Sequence, residues 1–314
     1  MKKKRVAQSL ILFSLFIFHF SFLLSCASAP RVTLPAVGNE FTLLPEGGNV
    51  YLWVNAEEGR PLLDLFSPID LNNRDVAQVI DRTDRLVAAL YPGNGERRFF
   101  LAATGNFPQS RANFSFALNR DWRRQNSPSG GSYWYFRPED IAIAINPDLV
   151  RVSDADPIAH FTAQSPPRGF IEFQEGLALA GWMPSSMEFI NSFLSNLGVP
   201  LQIPAEDFFF GAAQPFTDPE DADYWELVFR IRTPSETHAR SLVTLFSVAR
   251  LFVMSGMVPS EGFIGGTSIN PREFASLLFA YLPELNGDFL TIRSNHITIA
   301  QMALLFGMFP VYSN

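Results

Sequence analysis

The sequence predicts an α+β fold made of two similar units, with additional apolar helices at the C-terminal end. Three observations carry that expectation. Short apolar, aromatic-rich runs bounded by turn residues alternate with stretches of helical spacing. The order strand, helix, strand, hairpin in residues 49–165 returns in residues 166–314. The last third of the chain holds three segments apolar enough to read as buried helices, 236–254, 272–282 and 298–309.

The N-terminal end is a different kind of sequence. Lys2, Lys3, Lys4 and Arg5 precede an almost wholly apolar run over residues 10–24. That is the charged and apolar regions of a secretory signal, too short to be a spanning helix. The run ends Leu23-Leu24-Ser25-Cys26-Ala27, which resembles the lipobox of bacterial lipoproteins, where the bond before the Cys is cut and the Cys acylated. Cys26 is the one cysteine of the chain, so no disulfide is possible and stability has to come from a core. Several acyl chains on one residue give stable anchoring, since each buried methylene contributes about 0.8 kcal/mol. Residues 27–48 mix Ala, Pro, Gly and Thr, the composition of a tether. The expected division is a signal peptide over 1–25, an acylated Cys and tether over 26–48, and folded units over 49–165 and 166–314.

In the first unit, Val50-Tyr51-Leu52-Trp53-Val54 reads as a buried strand, and Pro61 suits the start of a short helix filled by Leu62, Leu63, Leu65 and Phe66. Residues 74–90 predict a longer helix, because Val76, Val79, Ile80, Thr83, Leu86, Val87 and Leu90 recur at spacings of three and four. Tyr91-Pro92-Gly93-Asn94-Gly95 stops it. Phe99-Phe100-Leu101-Ala102-Ala103 is the next strand, 112–122 leans to helix, and 133–136 with 141–145 forms a hairpin.

The second unit parallels the first. Residues 177–182 followed by a helix over 185–197 match 50–54 and its helices, 208–216 match 99–107, and Tyr224-Trp225-Glu226-Leu227-Val228-Phe229 matches Tyr133-Trp134-Tyr135-Phe136. Thr233-Pro234-Ser235-Glu236 then opens a helix running to about residue 254. An extended piece over 289–292 precedes the last helix.

Charge and motifs narrow the function. Residues 1–26 hold four basic and no acidic residues, leaving 20 basic against 31 acidic residues beyond them, a net −11. A surface of that sign excludes nucleic acid as a partner and disfavours anionic head groups, so membrane contact by the domain is expected to be hydrophobic. His160, His238 and His296 lie far apart without metal spacing, and no nucleophile elbow, phosphate loop or dinucleotide glycine pattern occurs. The acidic string from Asp218 to Asp223 lacks the turn glycine and distal Glu of a calcium loop, and Asp154 with Asp156 is a weaker pair still. Neither a metal nor a cofactor is expected, nor an enzymatic activity.

The lipobox at residues 23–26, the α+β body over 50–309 and the apolar helices together resemble spirochaetal lipoproteins. In particular they resemble the treponemal outer-membrane-associated lipoprotein type whose amphipathic helices insert in the inner leaflet of the outer membrane. The resemblance implies lipid binding and membrane perturbation, with no catalytic residues to carry over. The expectation is therefore an envelope lipoprotein facing the periplasm, on the outer membrane ahead of the inner, anchored in membrane lipid through acylated Cys26. Leu242, Phe246, Phe252, Leu278, Leu305 and Phe306, apolar residues on the candidate helices, are the expected contacts for lipid or an apolar ligand. Two readings stand beside it: the same helices can simply be core, and aromatic patches can bind a protein partner in the envelope, as in a structural or adaptor lipoprotein. Replacing Cys26 by Ser is expected to move the protein from the membrane pellet to the soluble fraction; a variant that stays in the pellet would contradict acylation as the anchor.

Overall fold

In the computed structural model, described over residues 39–66, 79–92, 98–184, 205–214, 223–255, 262–264, 267–269, 276–277 and 280–302, the apolar runs join into one antiparallel sheet of 13 strands. The first seven are β1 (Val50–Asn55), β2 (Thr83–Leu90), β3 (Phe99–Gly105), β4 (Trp122–Asn126), β5 (Ser132–Phe136), β6 (Ile141–Ile145) and β7 (Leu149–Ser153). The remainder are β8 (Leu179–Pro184), β9 (Asp207–Ala213), β10 (Tyr224–Arg232), β13 (Glu284–Asn286), β14 (Phe289–Arg293) and β15 (Ile297–Thr298), while β11 (Gly262–Ile264) and β12 (Thr267–Ile269) form a separate ribbon. The order across the sheet is β13-β14-β10-β9-β8-β1-β2-β3-β7-β6-β5-β4, with β15 also on β10. Among the described residues four bounded α-helices pack on it: α1 (Arg60–Phe66), α2 (Gln109–Leu118), α3 (Phe170–Gln174) and α4 (Glu236–Met254).

This architecture corrects the expected fold class. The chain is predominantly β, and its two halves are not separate α+β units, because β1 of the first half pairs with β8 of the second in the middle of one sheet. The matched strands also occupy different places: β3 lies two strands from β1, whereas β9, its expected counterpart, lies directly beside β8. The error begins at residues 74–90. The part described from residue 83 is strand β2, with Val87 and Ala89 buried on one face and Leu86, Ala88 and Leu90 half-buried on the other. A strand covered on both faces reads as a continuous apolar run, and such a run also satisfies helical spacing; pairing with β1 and β3 decides the outcome.

Central strands are covered on both sides. Val54, Phe210, Leu227 and Ile231 face one core with Leu62 and Leu63 of α1 and Leu242 and Phe246 of α4. Tyr51, Trp53, Trp182 and Phe209 face the other, under Phe170 and Phe173 of α3. Phe41, Leu43 and Leu44 join this second core from a 3₁₀ turn, Glu40–Leu43, so chain within the segment read as tether is already packed against the sheet. That explains Phe208-Phe209-Phe210: successive strand side chains alternate faces, and here both faces are apolar.

Aromatic packing is densest across β1 and β8. Tyr51 stacks on Trp182 with ring centroids 4.5 Å apart, Phe41 and Phe170 meet Trp182 edge-on at 4.3 and 4.7 Å, and Tyr51 Oη donates to Gln164 Oε1 at 2.8 Å while accepting from the Gly48 N–H at 2.7 Å. Burial pushes the Tyr51 hydroxyl above its ordinary pKa, keeping it protonated as this donor–acceptor role requires. Gly181 is fixed by close approach: a Cβ there would lie 2.5 Å from the Tyr51 carbonyl oxygen and 2.4 Å from Phe210 Cζ.

Arg151 of β7 is a charged side chain set among apolar neighbours. In register it lies between Ala102 and Ala144, it has no hydrogen bond or ion pair among the described residues, its Nε is buried, and burial holds it below the ordinary arginine pKa. Two outcomes are expected. Trp182→Ala should lower unfolding stability by about 3–5 kcal/mol, measured by chemical denaturation, since it empties the centre of the aromatic cluster. Arg151→Met keeps the aliphatic stem and removes the unpaired charge, and should raise stability by about 1 kcal/mol; a fall would mean that the charge itself is stabilising there.

Candidate membrane-contacting surface

The candidate surface is built on α4. Its start is secured by Ser235, whose Oγ accepts the His238 backbone N–H at 3.4 Å and lies 2.8 Å from His238 Nδ1, and by the buried Thr233 hydroxyl between the Ser235 and Asp288 carbonyls. An exposed ion pair between Arg240 and Glu236 adds little. From there to Arg250 the helix carries no charge. One side, with Ala239, Leu242 and Phe246, is buried against the sheet.

The outward side changes character along its length. Ser241 and Thr244 give way to Leu245, Val248 and Leu251, which are 37%, 44% and 68% exposed. The hydroxyls on this stretch do not need water as partner. Ser241 Oγ donates to Thr237 O at 3.0 Å, Thr244 Oγ1 to Arg240 O at 3.3 Å and Ser247 Oγ to Val243 O at 2.7 Å, each one helical turn back. Arg250 turns aside and donates to Ala280 O at 3.2 Å. That bond brings the segment after Ala280 to the C-terminal half of α4, and there Tyr281, Leu282 and Leu285 are also exposed. The result is an apolar surface on which the hydroxyls of Ser241, Thr244 and Ser247 are bonded within α4 and α4 carries no charge between Arg240 and Arg250. No described helix is long and apolar enough to cross a membrane, so α4 presents a face and not a span.

The residues expected from sequence fall in three groups. Leu242 and Phe246 are 1% and 4% exposed and belong to the core under α4; the outward positions beside them, Leu245, Val248 and Leu251, carry the exposed surface. Phe252 lies within α4, but its side chain is outside what is described. Leu278, Leu305, Phe306 and Cys26 lie outside the described residues, as does the helix expected over 185–197. Helical spacing locates an amphipathic helix, yet which apolar stripe faces inward depends on the partner sheet, and α4 is apolar on more than one side.

Several titratable groups are engaged in structural bonds. Asp154 accepts from the Arg98 guanidinium and backbone N–H, both at 2.9 Å, fastening the start of β3 to the end of β7. Arg232 bonds Asp207 and Glu206 across β9 and β10. Arg230, held below the ordinary arginine pKa mainly by burial and next by Arg293, stacks between Phe173 at 5.1 Å and Phe289 at 5.9 Å. Among the described residues no group of His, Cys, Asp and Glu has metal-binding geometry.

No family profile matches the chain, and no curated protein sequence does. Solved structures do. Crystal structures of TP0453, a Treponema pallidum protein, superpose with a TM-score of 0.54 at 16% identity over 89% of this chain and 99% of that one. Two further crystal forms give 0.54 at 15% identity over 85% and 96%, and 0.53 at 16% identity over 89% and 98%. At such identity the likeness is one of fold, and it spans nearly the whole of both chains: this protein shares the overall fold of TP0453.

Proposed function

We propose that the protein is a non-enzymatic, membrane-anchored lipoprotein of the cell envelope, facing the periplasm, and that its folded domain contacts bilayer lipid directly through the outward face of α4. The observation that carries this reading is the pairing of exposed Leu245, Val248 and Leu251 with hydroxyls already bonded to their own helix. Moving a hydroxyl out of water is costly when its donor is left unpaired, and here that cost is removed in advance. With its axis in the plane of the interface, α4 would bury aliphatic side chains at the head-group boundary while the sheet behind it stays in water. The treponemal fold likeness supports the envelope setting, and acylation of Cys26 would supply the permanent anchor.

The test uses residues 27–314, which retain every described residue and lack the acyl chains. This domain is expected to float with phosphatidylcholine vesicles, and to do so equally at low and high salt. Leu245→Ser, Val248→Ser and Leu251→Ser together should weaken binding by roughly a hundredfold, taking on the order of 1 kcal/mol for each partly buried aliphatic side chain. Substitution at exposed positions should leave thermal unfolding nearly unchanged. A wild-type domain that remains in the soluble fraction with neutral vesicles would sink the α4 reading and leave the acyl chains as sole anchor.

A further inference from the structure

The opposite end of the sheet carries a second apolar surface of different electrostatic character. Helix α2 has no buried residue, yet its seat is well defined. Trp134 Nε1 donates to Asn113 Oδ1 at 2.8 Å, Gln109 Nε2 donates to Ile145 O at 2.8 Å, and Phe116 stacks on Trp122 with centroids 4.3 Å apart. With Gln109, Asn113 and Phe116 turned to the sheet, Phe114 and Leu118, one turn apart, project outward at 66% and 70% exposure. Arg111 shares that side of the helix, Arg120 sits in the following turn, and β4 contributes Arg123 and Arg124; all four are exposed.

Seven arginines elsewhere in the described residues are already neutralised by an acidic partner. Arg60, Arg85, Arg98, Arg168, Arg232, Arg240 and Arg293 each hold a carboxylate. Among the described residues Arg111, Arg120, Arg123 and Arg124 hold none, and Arg124 reaches only Ser132 Oγ. Residues 109–126 contain one acid, Asp121, against the four. The next turn adds exposed Arg137 against Glu139 and Asp140, the last engaged by Tyr135 Oη on the sheet face away from α2. The acidic balance of the whole chain therefore conceals a local cationic patch.

We propose that α2 and β4 form a contact for anionic lipid, with Phe114 and Leu118 entering the head-group boundary and Arg111, Arg120 and Arg124 binding lipid phosphate. Three features select this occupant. The apolar pair stands on a convex helix, whereas protein hot spots fill concave, desolvated pockets. Arginine on the edge strand β4 opposes the addition of an extended partner segment. Most directly, α2 and α4 cover the same face of the sheet: one cross-strand row runs from Trp134 beneath α2 through Leu101 and Leu52 to Phe210 and Ile292 in the core beneath α4. The proposal rests on the α4 reading only for that shared orientation. Guanidinium is suited to the role, since its planar donors pair with phosphate oxygens.

Residues 27–314 should be compared on phosphatidylcholine vesicles and on vesicles containing phosphatidylglycerol, at low salt. Binding to the anionic vesicles is expected to be tighter by roughly a hundredfold, from the usual contribution of three arginines near an anionic surface. Arg111→Gln, Arg120→Gln and Arg124→Gln together should abolish that preference and leave binding to neutral vesicles unchanged. Phe114→Ser with Leu118→Ser should weaken anionic binding while thermal unfolding stays as in wild type. Equal binding to both vesicle types, or a preference that survives the arginine substitutions, overturns this proposal and leaves α4 standing. Binding to anionic vesicles alone supports it and removes α4.

Discussion

The pairing of β1 with β8 is the constraint on which the rest of the structure depends. It aligns Tyr51 with Trp182 and Val54 with Leu179, joining segments more than a hundred residues apart. Each half of the chain supplies strands to only one side of that seam, β2 and β3 on one and β9 and β10 on the other. A sheet edge left open there would expose backbone donors and acceptors along strands that are apolar on both faces. The stack of Tyr51 on Trp182, closed by Phe41 and Phe170, turns this seam into the most aromatic part of the interior. Gly181 is part of the same requirement, because Phe210 needs the space that its missing side chain leaves.

Coverage of both faces at the seam has consequences outward. Strands far from it are covered less well: every residue of β5 is half-buried, and β4 ends the sheet with exposed Arg123 and Arg124. Helices placed on such strands have less core to bury, which is why α2 seats itself by two side-chain hydrogen bonds and a ring stack. By contrast α4 buries Leu242 and Phe246 deeply and still has aliphatic side chains left over on its outer side. The two exposed apolar surfaces thus arise differently, one from a helix with too little core beneath it and one from a helix with more apolar residues than its seat can take.

Local sequence signals were legible where one residue type decided the outcome. The hairpin of β5 and β6, the helix α4 with its Thr233 and Ser235 start, the strands around Trp53 and Phe209, and the helix opening at Pro61 all form where turn and cap residues place them. Residues 83–90 were not legible, because an apolar run buried on two faces satisfies helical and extended spacing alike. The supposed repeat failed with it, since β2 separates β3 from β1 whereas β9 adjoins β8. For the candidate surface, sequence located α4 but favoured Leu242 and Phe246, which pack inward, over Leu245, Val248 and Leu251. The cationic patch was hidden by arithmetic: a net charge cannot tell which arginines already hold carboxylates.

That distinction between total and local charge bears on how such a protein could meet a membrane at all. An acidic domain tethered near an anionic bilayer is repelled on average, but exposed charges interact over only about 8–10 Å at physiological salt, so orientation governs the sign of what the membrane meets. Arg111, Arg120 and Arg124, which hold no carboxylate among the described residues, and an uncharged stretch of α4 lie over one face of the sheet, while the paired Arg98 and Asp154 are spent on holding strands together. An acyl chain alone would let the domain tumble; two helices on one face would restrict it to a single presentation.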